Sequence, residues 1–213
     1  MKFCVIGLGR LGYQVAVTLA ENGMEVMAVD SSESIVASIR DRVTQAICMR
    51  VTDEASMRSI GIDEMDTVIV AMGENFAQSI LITALLKKKL NINKVIARAI
   101  NEIHKEVLSL VGADENILPE KEIGIRLADK LSMPFMELIR LSKNFAIGQI
   151  KAPKEIVGKS ITDTKFYQRW GVRCLGVKHK DDIESIASDY IIAADDKLIV
   201  SGSNEALEKL AKL

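Results

Sequence analysis

The chain opens on a short apolar run at residues 3–6, closed by Gly7, and then changes period. From Leu11 to Leu19 apolar residues recur at helical spacing until Gly23 breaks the stretch. A second run spans 25–29, and Ser31 or Ser32 offers a cap for a helix reaching Ile39. The exchange continues with strands at 46–49, 67–71, 95–97 and 116–118. Between and after them lie helices at 54–59, 76–86, 102–110 and 120–131. Short apolar runs alternating with amphipathic helices predict a parallel, doubly wound sheet covered on both faces. After Pro134 the rhythm changes. Residues 135–143 read as a helical connector, followed by strands at 145–150, 172–177 and 198–200, a loop and helix over 158–170, and a closing helix at 205–213. The expected organisation is an α/β domain over 1–134, the connector over 135–143, and a small α+β domain over 144–213.

Composition narrows the function classes. Of 213 residues 48% are hydrophobic and 27% charged, with 28 Lys and Arg against 29 Asp and Glu. Such a balance gives no general attraction to nucleic acid or anionic lipid. No stretch approaches the ~18 apolar residues that a membrane span needs. Any action at a membrane is therefore expected to pass through a partner, without direct insertion. Cys4, Cys48 and Cys174 are odd in number and far apart, and no Cys-x-x-Cys or His pair offers a zinc site. Cys4 and Cys48 lie in strand-like runs and read as small buried residues of a reduced, cytoplasmic protein.

The chemistry concentrates at the first turn. Gly7-Leu8-Gly9-Arg10-Leu11-Gly12 follows a strand and opens a helix. Gly7 permits a tight turn, Gly9 leaves room for a phosphate, and Gly12 lets the helix approach the sheet, as in a Rossmann dinucleotide site. The helix N-terminus then presents free N–H groups to an anion. Asp30 closes the second strand about 20 residues on, where a carboxylate accepts both ribose hydroxyls and disfavours the 2′-phosphate of NADP. Its bland alternative is a cap for the helix beginning near Ser32. Arg10 stands in the first turn of the helix, against the dipole unless an anion lies beside it. Arg98 follows the 95–97 strand at the edge where open parallel sheets bind ligands. Two arginines at one mouth suit a polyphosphate. Catalysis has few candidates: His104, in a Glu- and Lys-rich helix, and His179, in a Lys-His-Lys turn, both read as solvated. No nucleophile–base spacing is evident. Tyr167 and Trp170 read as core or interface aromatics.

These segments resemble a family. Gly7–Gly12 with Arg10, Val29-Asp30, Val68-Ile69-Val70-Ala71, Ile96-Ala97-Arg98-Ala99 and Pro119-Glu120-Lys121-Glu122-Ile123-Gly124 resemble the RCK domain of KtrA- and TrkA-type potassium-transport regulators. Ile156-Val157-Gly158-Lys159-Ser160 and Leu198-Ile199-Val200-Ser201-Gly202 resemble their C-terminal companion domain. The resemblance implies ATP or ADP, or else NAD(H), in the Rossmann cleft. Around that ligand it places Gly7, Gly9, Arg10, Leu11, Gly12, Asp30, Val51, Thr52, Asp53, Ala71 and Arg98. Asp30 would hold the ribose, Arg10 the terminal phosphates with help from Arg98, and residues 51–53 would lie against the adenine. Glu120 matches a glutamate that binds a divalent cation, Mg²⁺ or Ca²⁺, at a dimer interface; by residue type alone it is an ordinary glutamate of a helix's first turn. Lys165-Phe166-Tyr167 lacks the arginine with which some relatives bind cyclic di-AMP, which speaks against that ligand.

The resulting expectation is a nucleotide-sensing regulatory subunit of a separate potassium-transporting membrane protein, without enzymatic activity of its own. The resemblance implies a homo-oligomer, a dimer closing into an octameric ring. Ile123, Leu127 and Leu131, with Met133, Phe135, Met136, Leu138, Ile139 and Leu141, supply more apolar surface than one linker helix needs. The rival readings are a small NAD-dependent oxidoreductase and an NADH-sensing transcription regulator. The first needs a proton donor in the cleft, the second a helix-turn-helix with a basic face, and neither is visible.

Overall fold

The computed structural model describes every residue except Glu74, Met133, Pro134, Asp181 and Leu213. Met133 of the expected connector and the 134 border therefore lie outside the described residues. Two compact units form, residues 1–120 and 121–213.

The first unit carries six strands: β1 (Lys2–Ile6), β2 (Glu25–Asp30), β3 (Gln45–Cys48), β4 (Thr67–Val70), β5 (Lys94–Arg98) and β6 (Glu115–Ile117). They pair in the order β3-β2-β1-β4-β5-β6, every pair parallel. The connecting helices are α1 (Arg10–Glu21), α2 (Glu33–Ile39), α3 (Glu54–Ser59), α4 (Phe76–Lys88) and α5 (Glu102–Val111). Side chains of one strand alternate between two cores. Cys4 and Ile6 join Met27, Val29, Val68 and Val70 on one face, whereas Val5 joins Val26, Ala28, Ile69 and Ala16 on the other. This two-sided burial is why the strands read as continuous apolar runs. The strand order reverses direction between β1 and β4, so their C-terminal ends open the crevice in which such sheets take ligands.

Helix α6 (Pro119–Ser132) begins in the first unit and continues into the second, and none of its residues is buried. Pro119 occupies the first helical position, where its missing N–H costs nothing. The second unit adds β7 (Glu137–Arg140), β8 (Phe145–Lys151), α7 (Ile161–Thr164), α8 (Phe166–Trp170), β9 (Arg173–His179), β10 (Asp182–Glu184), β11 (Lys197–Ser203) and α9 (Asn204–Ala211). Its strands form an antiparallel sheet in the order β10-β9-β11-β8-β7. Leu198, Val200, Ala146, Ile150, Leu207 and Leu210 make its core.

Three expectations need correction, and one strand went unread. The 135–143 segment is not helical: residues 137–140 are β7, paired with β8 through the turn at 142–144. Its dense apolar residues fit either period, and the decisive feature is local. Leu138 lies opposite Gly148, whose missing side chain leaves room for the Phe135 ring, while Ile139 is turned outward. The strand β10 has no counterpart in the sequence reading, since its three residues are all exposed and carry no apolar alternation. Cys48 is exposed, because β3 ends there at the open edge of the sheet. His104 is 1% exposed, four residues before the buried Leu108 on the core-facing side of α5. The outward side of that helix instead carries Ile103 and Leu110.

Candidate functional site

Gly7 continues β1 in a conformation only glycine adopts freely, with φ +89°, and its N–H donates to the Val29 carbonyl at 2.8 Å. A β-carbon on Gly12 would collide with the Gly7 carbonyl and press on Ala71. Gly12 is therefore the contact that lets α1 rest on the ends of β1 and β4. Gly9 faces open space, with nothing within 4 Å of where its β-carbon would stand. It is also the N-cap of α1, and no side chain caps the helix there. Among the described residues, no side chain takes up the first-turn N–H groups as a cap. Arg10 is exposed at that turn, and Leu11 beside it is half-buried.

Asp30 closes β2 and binds the glycine turn from below. Its Oδ2 accepts the Leu8 N–H at 2.6 Å and its Oδ1 the Ser32 N–H at 2.8 Å. The N-cap of α2 is Ser32, and Asp30 holds the N-cap's own N–H rather than one of the helix's first turn. Each carboxylate oxygen nonetheless keeps a second lone pair for an outside donor.

Val51 is buried, and its carbonyl accepts the Gln78 side chain of α4 at 2.7 Å. Asp53 caps α3 in a reciprocal box with Ser56, accepting its N–H at 2.8 Å. The Ser56 N–H and the Thr52 hydroxyl hold its carboxyl below the usual range. Asp53 thereby starts α3, and Val51 and Thr52 lead into it.

Ala71 extends β4, its N–H on the Ile6 carbonyl at 2.8 Å. Arg98 ends β5, two strands from β1, which sets its backbone about 10 Å from the glycine turn along the same edge. Its guanidinium lies against Gly73, where any β-carbon would strike it, and it pairs with the Glu120 carboxylate. The Arg98 Nε is buried without a protein partner. Glu120's own backbone N–H, and then Arg98, hold the Glu120 carboxyl below its ordinary value. For a divalent cation this is one carboxylate already engaged by an arginine. Among the described residues no group of three His, Cys, Asp or Glu side chains is placed to hold a metal ion. A hard cation takes six or more oxygens, so Glu120 would be one ligand among several.

Three contributors to this edge were missed in the sequence. Gly73 had the signal of a glycine directly after a strand. Asn75, capping α4 on the Gln78 N–H at 3.1 Å, had the signal of an Asn before an apolar helix. The Ser79–His104 contact, at 2.9 Å in the core, had none, since it joins residues 25 apart.

Residues 3–119 match the TrkA-N domain and residues 149–213 the TrkA-C domain. The chain is 36% identical over 210 residues to Ktr system potassium uptake protein A of Bacillus subtilis, covering 98% of this chain and 94% of that one. It is 33% identical over 213 residues to Ktr system potassium uptake protein C of the same organism, covering 99% and 96%. A GsuK channel bound to NAD has the same fold, with TM-score 0.55 and 25% identity over 99% of this chain. This chain spans 38% of that channel's length.

Proposed function

The chain belongs to the TrkA-N and TrkA-C domain family, and from that premise we propose that it is a nucleotide-sensing regulatory subunit of a potassium uptake system. It acts on a separate, potassium-transporting membrane subunit from the cytoplasmic side. No helix among the described residues is long and apolar enough to cross a membrane, which fits a subunit that reaches the membrane through its partner.

The observation that carries the reading is the glycine turn: uncapped at α1, open at Gly9, and backed by Asp30. A pyrophosphate on the α1 N–H groups would bring its ribose to Asp30 and its adenine to Val51 and Thr52. Gly7, Gly12 and Ala71 shape the turn rather than touch ligand with side chains. Arg10 and Arg98 line the path of further phosphates, which favours ATP or ADP over NAD(H). NAD(H) stays beside them as the second reading because the NAD-bound channel shares the fold. A cation enters only as a bridge, Glu120 giving one oxygen and the nucleotide's phosphates others. The function is sensing rather than catalysis.

Titration of ATP, ADP, NAD⁺ and NADH side by side tests this. Adenine nucleotides should bind with a stoichiometry of one per chain, and no turnover should follow when NADH is offered with candidate substrates. Binding of none of the four would remove the proposal. We further propose a homo-oligomer, a dimer closing into an octameric ring. Light scattering showing a monomer with either ATP or ADP bound would deny it the interface across which a ligand can act.

A further inference from the structure

A buried histidine needs a partner for each ring nitrogen, or its burial costs stability. His104 has both. Its Nδ1 accepts the Ile100 N–H at 3.3 Å, so the ring proton sits on Nε2 and is donated to the Ser79 hydroxyl at 2.9 Å. The Ser79 hydroxyl donates onward to the Phe76 carbonyl at 3.3 Å, and the Phe76 ring lies tilted on the imidazole at 4.4 Å. Each partner belongs to a different segment. Ile100 stands two residues after Arg98, in the turn between β5 and α5. Phe76 and Ser79 form the first turn of α4, three and six residues after Gly73.

One of these walls follows Arg98 in the chain, and the other follows Gly73, whose bare backbone borders the guanidinium. The Arg98 Nε is buried with no acceptor. Among the described residues, therefore, Glu120 holds the outer end of the arginine, and packing against Gly73 places the part nearer its root. The imidazole of His104 ties one wall to the other.

Resting on the nucleotide reading above, we propose that His104 is a positioning residue for phosphate recognition. Its ring fixes the start of α4 to the turn after β5 and so holds the Arg98 guanidinium at the phosphate-facing edge. His104 touches no ligand itself. The effect is confined to ligands that carry phosphate beyond the ribose.

Equilibrium titration of the full chain with ADP and with adenosine, for wild type, His104→Gln, His104→Asn and Ser79→Ala, tests the proposal. Gln retains a donor near the level of Nε2 but loses the acceptor for Ile100; Asn retains an acceptor at the level of Nδ1. His104→Gln should weaken ADP on the order of tenfold, the worth of one hydrogen bond. His104→Asn, which loses the donor to Ser79, should weaken ADP to a similar extent, and adenosine should change by less than about twofold in every variant. Ser79→Ala, a small substitution the fold tolerates better, should weaken ADP in the same selective way. ADP affinity unchanged in both His104→Gln and Ser79→Ala overturns the proposal. So does a parallel loss of ADP and adenosine with a lowered unfolding temperature, which is the behaviour of a residue that only supports the fold. Failure of the wild type to bind ADP at all counts against the nucleotide reading instead, so the two failures are distinguishable.

Discussion

Replacing Asp30 by Ala should destabilise the free protein and weaken every nucleotide that carries a ribose, and the two effects have separate origins. The carboxylate accepts the Leu8 N–H at 2.6 Å and the Ser32 N–H at 2.8 Å. Leu8 is 2% exposed, so its N–H is left without a protein acceptor and with little access to water once the carboxylate is gone. A buried donor left without a partner costs about 1–3 kcal/mol. Ser32 is half-exposed and can bind water, so it adds little. The expected loss is about 2 kcal/mol, which for a chain of this size lowers the unfolding temperature by roughly 4–8 °C. Scanning calorimetry without ligand measures that part. Titration at 10 °C, where the variant stays folded, measures the other. ADP and NADH should both weaken by about 10- to 100-fold, because each loses a charge-assisted bond to the shared ribose. Asp30→Asn, with one acceptor oxygen in place of two, should fall between. A ligand-free unfolding temperature equal to the wild type's would refute the anchoring of the glycine turn. Unchanged affinity would return Asp30 to a purely structural role.

Arg10→Ala should weaken ATP more than NADH in the same titration, since the more anionic ligand loses more from a missing phosphate contact; equal losses would show that Arg10 does not read the terminal phosphate. Glu120→Gln should abolish any enhancement of ATP affinity by Mg²⁺ or Ca²⁺ and leave ADP within about twofold. A wild type with no cation dependence beyond that of free ATP would exclude the bridge. Burial holds the His104 imidazole below its ordinary pKa of about 6.5. The folded state therefore favours the neutral ring, and the stability it contributes is present above that value and lost as pH falls toward the folded-state value. Unfolding temperatures measured from pH 7.5 to 5 should decline, and His104→Gln should flatten the decline; equal slopes would show that His104 is not the group titrating.

The parallel sheet was legible because burial on both faces removes polar positions from its strands, and because caps and glycines punctuate each helix. The glycine turn was legible for a related reason: Gly7, Gly9 and Gly12 each answer a different steric demand at fixed spacing. What escaped the sequence depends on contacts between distant residues. Nothing in a Glu- and Lys-rich helix says that His104 turns inward, because the reason lies in Ser79 and Phe76 on another helix. Asp53 carries the same lesson in reverse. Its place in the segment suggested a ligand contact, and the local box with Ser56 gives its carboxylate a structural task that the sequence reading did not name. In the second unit β7 was misread because a strand of four residues beside Gly148 offers too few positions for its period to show.

A sensor has to pass on the presence of its ligand, and α6 joins the two properties that this requires. Its second residue, Glu120, is the partner of Arg98, so any phosphate that draws on Arg98 competes with the first turn of the helix. Further along, Ile123, Leu127 and Leu131 recur every fourth residue and are 63, 54 and 78% exposed. The residue that pairs with Arg98 and the exposed apolar stripe belong to one helix. Exposed apolar surface of this kind marks a partner face, and a second copy of the chain in the proposed ring would cover it. The pairing of Arg98 and the fit of α6 against its neighbour would then be coupled by mechanics alone, with no need for the ligand to touch the interface.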